Sequence, residues 1–429
     1  MINDLERLRR KIARIDRRYQ LGPASAAAEE QQRWRLRALA SPLPPGQRIE
    51  ELAPGEVLQN AAGACFRATR VYPFHKRHGN ADISSLCEMI GAPLGISAPP
   101  SRWAFLDTET TGVAGGTGTY CFLIGVGFLE GRDFRVHQFL MRDYSEEAAQ
   151  LDALAEHLAG FDVLVTYNGK TFDAPLLETR YRMSRRLPPL ERLEHLDVLH
   201  SARRLFRLRL PSCRLVEIER AILGFEREGD LPGEMVPYYY FDYLRTHNAL
   251  KLVPILHHNL MDIVTLACVT GLVLAAAGDP DTAPLAHPVD LFSLAAWVAA
   301  RAEDAEGRTQ AARLFRRALA AGLPEAIDWR ARAQLAALYK RDGDYGSALP
   351  LWDELCAAPN GARLEAAEEL AKYFEHRARD YPRALEAVRT AIAVAPPEQQ
   401  PAWRHRLARL ERKLAKAQPG ASPLFAAAQ

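Results

Sequence analysis

Cysteine is scarce in this sequence and unpatterned. The six present (Cys65, Cys87, Cys121, Cys213, Cys268, Cys356) form no CxxC pair and stand at no zinc spacing with histidines. This argues against a disulfide framework or a structural zinc site and leads to the expectation of a reducing, cytoplasmic setting. Long apolar runs are missing as well. The longest nearly apolar one, Leu266 to Gly278, is too short to span a bilayer, and the amino-terminal MINDLERLRRKIARIDRRYQ lacks an apolar signal core. A soluble protein with no membrane partner is expected. A charge of one sign is also absent: Lys+Arg 55 against Asp+Glu 53 leaves +2, so contact with nucleic acid would have to rest on local clusters.

What is present is length, with a composition of 48% apolar and 25% charged residues over 429 positions. That is about three times the mode for one domain, so two or three folding units are expected. Leu5, Leu8, Ile12, Ile15 and Tyr19 make the stripe of a short amphipathic helix, which could dock on the body or pair with a partner. After SPLPPG (Ser41 to Gly46), turn signals such as PGE, HGN and PLG predict a small irregular or β-rich preface, so residues 1–99 form a first region. From about residue 100 to 278 the pattern is α/β. WAFLDT reads as a strand and Gly112 to Gly118 as a Gly-rich loop, while Tyr120 to Leu129 and Phe134 to Met141 read as a hairpin. A helix follows from Ser145, a buried strand over 162–166, a helix near Asp173, a strand ending near Val198, and a long helix over roughly 258–276.

Beyond Gly278 the strand signals stop. Asp344-Tyr345-Gly-Ser-Ala348-Leu349 recurs 36 residues later as Asp380-Tyr381-Pro-Arg-Ala384-Leu385, and Ala312 stands another 36 upstream. Helix pairs of this period resemble tetratricopeptide repeats, which would make residues 288–417 an all-α interaction region with a possible protein partner and 418–429 a flexible tail. An irregular helical bundle is the other reading.

The chemistry concentrates in three places. In FLDTETTG, Asp107 and Glu109 lie two apart on a strand and so share one face of the sheet, an arrangement that suits a hard divalent cation. In YNGKTFDAP, a strand runs into Asn168-Gly169-Lys170, and Asp173 opens a helix whose dipole favours its charge. Asp173 alone would also read as a helix cap. In HHNLMD, His258 and Asp262 are four apart and share a helical face, and a carboxylate in so apolar a stretch is costly unless paired or metal-bound.

Four acids in that order, Asp107, Glu109, Asp173 and Asp262, resemble the DEDD superfamily of 3′–5′ exonucleases on an RNase H-like fold, and most closely its YprB-like branch. The segments Leu215-Val-Glu-Ile-Glu219 and Asp230-Leu-Pro-Gly233 share in the likeness. The resemblance implies a mixed five-stranded sheet flanked by helices, with the hairpin-linked second strand antiparallel to its neighbours. It also implies hydrolysis of a phosphodiester at a DNA or RNA end, with a single-stranded end expected. Two Mg²⁺ or Mn²⁺ ions would be held by the four acids, Asp107 bridging both, and an imidazole would act on the attacking water. His257 and His258 occupy the two spacings at which such enzymes carry that residue; the shared face with Asp262 favours His258. A non-catalytic nucleic-acid or protein adaptor on the same fold, and an RNase H-like endonuclease, are the alternatives.

A substrate path is suggested by charge. From Arg180 to Arg214 ten arginines face three acids, a local balance of +7. Arg180, Arg203, Arg204 and Arg207, with Lys170, Asn168 and Thr110 nearer the acids, are the expected nucleic-acid contacts, and Tyr181 and Phe206 are candidates for base stacking. A solvated helix face is the alternative for the arginine run.

Overall fold

The computed structural model describes residues 48–112 and 118–417. The amino-terminal stripe, the middle of the Gly-rich loop and the tail lie outside the described residues. A short helix α1 (Ile49–Leu52) precedes strands β1 (Gly55–Asn60), β2 (Gly63–Tyr72), β3 (Arg77–His78) and β4 (Ala81–Asp82), and the α/β region brings β5 (Trp103–Thr110), β6 (Cys121–Glu130), β7 (Asp133–Leu140), β8 (Val163–Thr166) and β9 (Glu194–Asp197). The main sheet has seven strands in the order β1-β2-β7-β6-β5-β8-β9. Its last five are those expected: β6 lies antiparallel between β5 and β7, while β8 and β9 run parallel to β5.

The sheet is thus wider than the five strands expected. β2 adds antiparallel to β7, pairing Phe66 with Leu140 and Tyr72 with Phe134, and β1 closes the edge. The preface is therefore continuous with the sheet, and it covers the edge that β7 would otherwise leave unpaired. The hairpin between β6 and β7 turns on Gly131, whose φ of +61° is the left-handed conformation that glycine adopts without steric cost.

Both faces of the sheet are covered, which is why β6 is buried along nearly its whole length. One face packs on α2 (Glu147–Leu158) and α3 (Asp173–Met183), through Leu151, Leu154, Leu177 and Tyr181 against Leu106, Ile124 and Phe139. The other packs on α4 (Val198–Phe206) and, after α5 (Leu215–Ile218) and α6 (Val236–Thr246), on the long α7 (Val253–Gly278). Helix α7 is apolar and long enough to cross a membrane by length and composition, yet it lies in the core, with 78% of its most apolar window buried.

The helical region comprises α8 (Pro288–Arg301), α9 (Ala305–Ala320), α10 (Glu325–Arg341), α11 (Tyr345–Ala357), α12 (Arg363–Tyr373), α13 (Tyr381–Val394) and α14 (Gln400–Ala417). The 36-residue recurrence is a repeated helical hairpin. Asp344 and Asp380 cap α11 and α13 by accepting from Ser347 N and Arg383 N, and Ala312, Ala348 and Ala384 are buried, the small residue admitting the neighbouring helix. The first hairpin does not stand apart from the α/β body. Phe292, Leu294, Trp297 and Phe315 join Leu205 and Phe206 in one apolar cluster, and Arg209 meets buried Asp290 at 2.6 Å.

Candidate active site

The site forms at the end of β5, where Asp107 and Glu109 project from one face. Asp107 is paired in register with Gly125 of β6, and this glycine is required by the helix above it: a Cβ there would stand 2.2 Å from both Asn259 Oδ1 and Ile263 Cδ1. Gly125 thus lets α7 approach the sheet closely enough for Asn259 Nδ2 to donate to Asp107 Oδ2 at 2.8 Å. Asn259 is itself held from behind, since Gln138 Nε2 donates to its Oδ1 at 2.9 Å and to Leu256 O at 2.8 Å. This buried relay, Gln138 to Asn259 to Asp107, fixes the first acid. Gly125→Ala is expected to overpack the contact, costing about 1–3 kcal/mol, so that thermal denaturation shifts down by about 3–10 °C.

The three acidic segments do come together. Asp107 and Glu109 are pushed well above the usual carboxylate range by burial first, then by Asp262 and Asp173 in the case of Asp107, and by Asp107, Asp262 and Asp173 in the case of Glu109. Asp173, the first residue of α3, accepts from Thr108 Oγ1 at 2.5 Å, and burial lifts its pKa to about 6 against that hydrogen bond. Ligand atoms of Glu109, His258 and Asp262 all lie within 4.8 Å of one another, so the two carboxylates could hold an ion with His258 against it, and Asp107 and Asp173 are near enough to act on them electrostatically. Clustered carboxylate oxygens beside a single imidazole are a donor set that fits a hard divalent cation.

The two adjacent histidines separate clearly. His257 is exposed, whereas His258 is buried, with Nδ1 2.8 Å from Asp230 Oδ2 and Nε2 3.6 Å from Asp262 Oδ2. Burial opposes its protonation, but the Asp230 hydrogen bond and the charges of Asp262 and Asp230 outweigh it and hold the pKa above the ordinary value. Gly233 lies close enough that a Cβ would be 3.5 Å from His258 Nε2, which gives the Asp230–Gly233 segment a place in the site.

Sequence reasoning missed several residues. Arg227, only 5% exposed, donates from Nε to Glu219 Oε2 at 2.5 Å, from Nη1 to Asp230 at 3.1 Å and from Nη2 to Asp262 Oδ1 at 2.6 Å. Glu219 also receives His78 Nε2 at 2.8 Å and the hydroxyl of Thr265, so β3 of the preface reaches the same network. Asp197 accepts from Asn168 N at 2.8 Å and Lys170 N at 3.1 Å, which holds the Asn168 turn at its φ of +68°. The only signals for these were the Glu219 and Asp230 segments and, for His78, the HGN turn.

Among the expected nucleic-acid contacts the structure is selective. Thr110 ends β5 and donates to Gly112 O at 2.8 Å, and Lys170 is exposed. Arg180 does not face solvent: it is 3% exposed, forms two hydrogen bonds to Glu147 (2.5 and 2.7 Å) and stacks on Tyr120, joining α3 to α2. Tyr181 and Phe206 are also fully buried, so neither can stack a base. Arg182, Arg186 and Arg209 are paired with acids and Arg192 with Leu158 O. About half of the run is thus bracing, Arg182 only at the surface, while Arg203 and Arg204 on α4 and Arg207 just after it remain exposed, as do Arg185 and Arg214.

Comparison with known proteins agrees with this architecture. Residues 104–273 match the RNase H superfamily, and residues 293–407 match the tetratrico peptide repeat family. A Bacillus subtilis (strain 168) protein named "Uncharacterized protein YprB" is 34% identical over 358 residues, covering 80% of this chain and 84% of the relative. With an RNase H superfamily domain carrying the acids and a tetratricopeptide region packed against it, the chain belongs to the YprB family.

Proposed function

We propose that this protein is a metal-dependent nuclease, most specifically a 3′–5′ exonuclease acting on a DNA or RNA end. The observation that carries the proposal is the convergence of Asp107, Glu109, Asp173 and Asp262 from three distant segments beside a buried histidine, with more negative charge than the one guanidinium there, Arg227, can balance. Carboxylates are not gathered this way for stability, since burying like charges together is unfavourable. When bound, Mg²⁺ or Mn²⁺ supplies a more acidic water and charge stabilisation for the phosphoryl group and the leaving 3′ oxygen.

The chain's own groups would do the rest. Asp230 orients His258 through Nδ1, leaving Nε2 on the side of Glu109 and Asp262 to align the attacking water and take its proton. Asn259 keeps Asp107 in one rotamer, and Thr108 does the same for Asp173. Exposed Phe172, adjacent to Asp173, offers a face for a terminal base, and Arg203, Arg204, Arg207 and Lys170 offer phosphate contacts. The setting is cytoplasmic, and the tetratricopeptide region is the surface for a protein partner.

The test is a panel of DNA and RNA, single- and double-stranded, as linear molecules labelled at the 5′ end and circles labelled internally, incubated with Mg²⁺ or Mn²⁺. A ladder shortening from the 3′ end is expected, with circular substrates intact. Cleavage of circles would replace the exonuclease by an endonuclease, and no cleavage of any substrate with Mg²⁺ or Mn²⁺ would leave the adaptor reading.

A further inference from the structure

The charges around the site are divided unevenly. On the strand side, Asp107, Glu109 and Asp173 are all displaced upward by burial and neighbouring carboxylates. On the helix side, burial acts in the same sense on Asp230 and Glu219, yet hydrogen bonds and the Arg227 charge reverse it and both fall below the ordinary range. His258 lowers Asp230 first, and His78 and Thr265 lower Glu219 first, but only one group reaches every acid on this side: the Arg227 fork sends Nε, Nη1 and Nη2 to three different carboxylates, Glu219, Asp230 and Asp262. The loop is shaped for it: Gly229 adopts φ +73°, reversing the chain between Arg227 and Asp230 so that both side chains enter the site. His78 and Thr265 meet the other oxygen of Glu219, so the anchor of the arginine is itself fixed.

We infer that Arg227 is a built-in counter-ion of the acidic site, holding one oxygen of Asp262 and opposing, by its fixed charge, the cation that the remaining carboxylates attract. Resting on the reading that these acids bind a divalent ion, the inference adds that Arg227 sets how tightly they do so. With Oδ1 of Asp262 engaged, only Oδ2 faces His258 and Glu109. An entering cation is thereby directed toward the strand side, where, among the described residues, no guanidinium is bonded to Asp107 or Glu109. A permanent guanidinium also lets the fold keep its acids assembled without metal, at the expense of affinity.

The experiment is Mn²⁺ binding to the full-length protein without substrate, followed by electron paramagnetic resonance of the free ion. Arg227→Met removes the charge at similar length and is expected to bind Mn²⁺ about tenfold tighter than wild type. Arg227→Lys keeps a charge but cannot span three carboxylates, so Asp262 is released and binding tightens by a smaller factor, about threefold. Should Arg227→Met fail to fold because Glu219 is left buried without its cation, Arg227→Lys alone decides. Unchanged or weaker Mn²⁺ binding by a folded Arg227→Lys overturns the inference. Asp107→Asn separates this failure from that of the metal reading: if wild type binds Mn²⁺ and Asp107→Asn does not, the metal site stands whatever Arg227 does, whereas a wild type that binds no Mn²⁺ removes the site and the inference together.

Discussion

Asp107→Asn is expected to lower metal-dependent cleavage by about 10³-fold or more, equivalent to about 4 kcal/mol of transition-state stabilisation, and at the same time to raise the melting temperature in EDTA. The first effect follows from position, since Asp107 sits between Asn259 and the other acids where a bound ion would be shared. The second follows from repulsion: burial and the charges of Asp262 and Asp173 already disfavour an ionised Asp107, and an amide removes that burden while filling the same volume. A rise of several degrees, from about 1–2 kcal/mol, is the expected size. Adding Mn²⁺ should stabilise wild type and leave the variant nearly unmoved, because an ion that binds only the folded state shifts the equilibrium by mass action. A variant that melts at or below the wild-type temperature in EDTA would show that the acids are not in electrostatic conflict, and cleavage at the wild-type rate would remove Asp107 from the reaction.

What could be read from the sequence depended on the range of the interaction involved. Strands β5 to β9 and helix α7 announce themselves through local pattern: alternation, a Glu-Gly-Arg hairpin, and an apolar run interrupted at His258, Asn259 and Asp262. The four acids were legible for a related reason, since each belongs to a short motif whose neighbours are informative. The joining of β2 to β7 was not, because Phe66 and Leu140 pair across a wide sequence gap and no local signal states which edge a hairpin will extend. Local charge counting cannot see which arginines of the run are already engaged by partners such as Glu147, which precedes Arg180 by 33 residues yet takes two of its hydrogen bonds. Arg227 and His78 carry no periodicity, and their roles exist only once Glu219, Asp262 and Thr265 have been brought together. Even Asn259, flanked by two residues singled out as chemical, gains its meaning from Gly125 on another element, whose missing Cβ admits it.

Acid should destabilise this fold through a pair of histidines outside the acidic cluster. His137 on β7 and His157 on α2 have ring centroids 4.9 Å apart and are enclosed by Phe128, Phe139 and Phe161, and His137 Nδ1 and His157 Nε2 have no hydrogen-bond partner. Burial, then the charge of the other histidine and of Arg67 and Arg135, depresses His137 to about 3; burial and Arg67 depress His157 to about 4. Both values lie below the ordinary 6.5, so the unfolded chain binds more protons below that pH. The stability that neutral rings contribute is therefore complete above pH 6.5 and is lost as pH falls toward 4 and then 3. Between pH 7 and pH 4 the loss is on the order of 3 kcal/mol, after allowing for solvent at the edge of the cluster. The clustered acids act in the opposite sense: Asp107, Glu109 and Asp173 have raised values, so the conflict among them relaxes as they gain protons on acidification. The histidine effect is isolated in His137→Leu/His157→Leu, whose urea midpoint in EDTA should fall much less between pH 7 and pH 4 than that of wild type. Equal losses in the two proteins would mean that the rings are solvated or already paired, and that acid lability originates elsewhere in the fold.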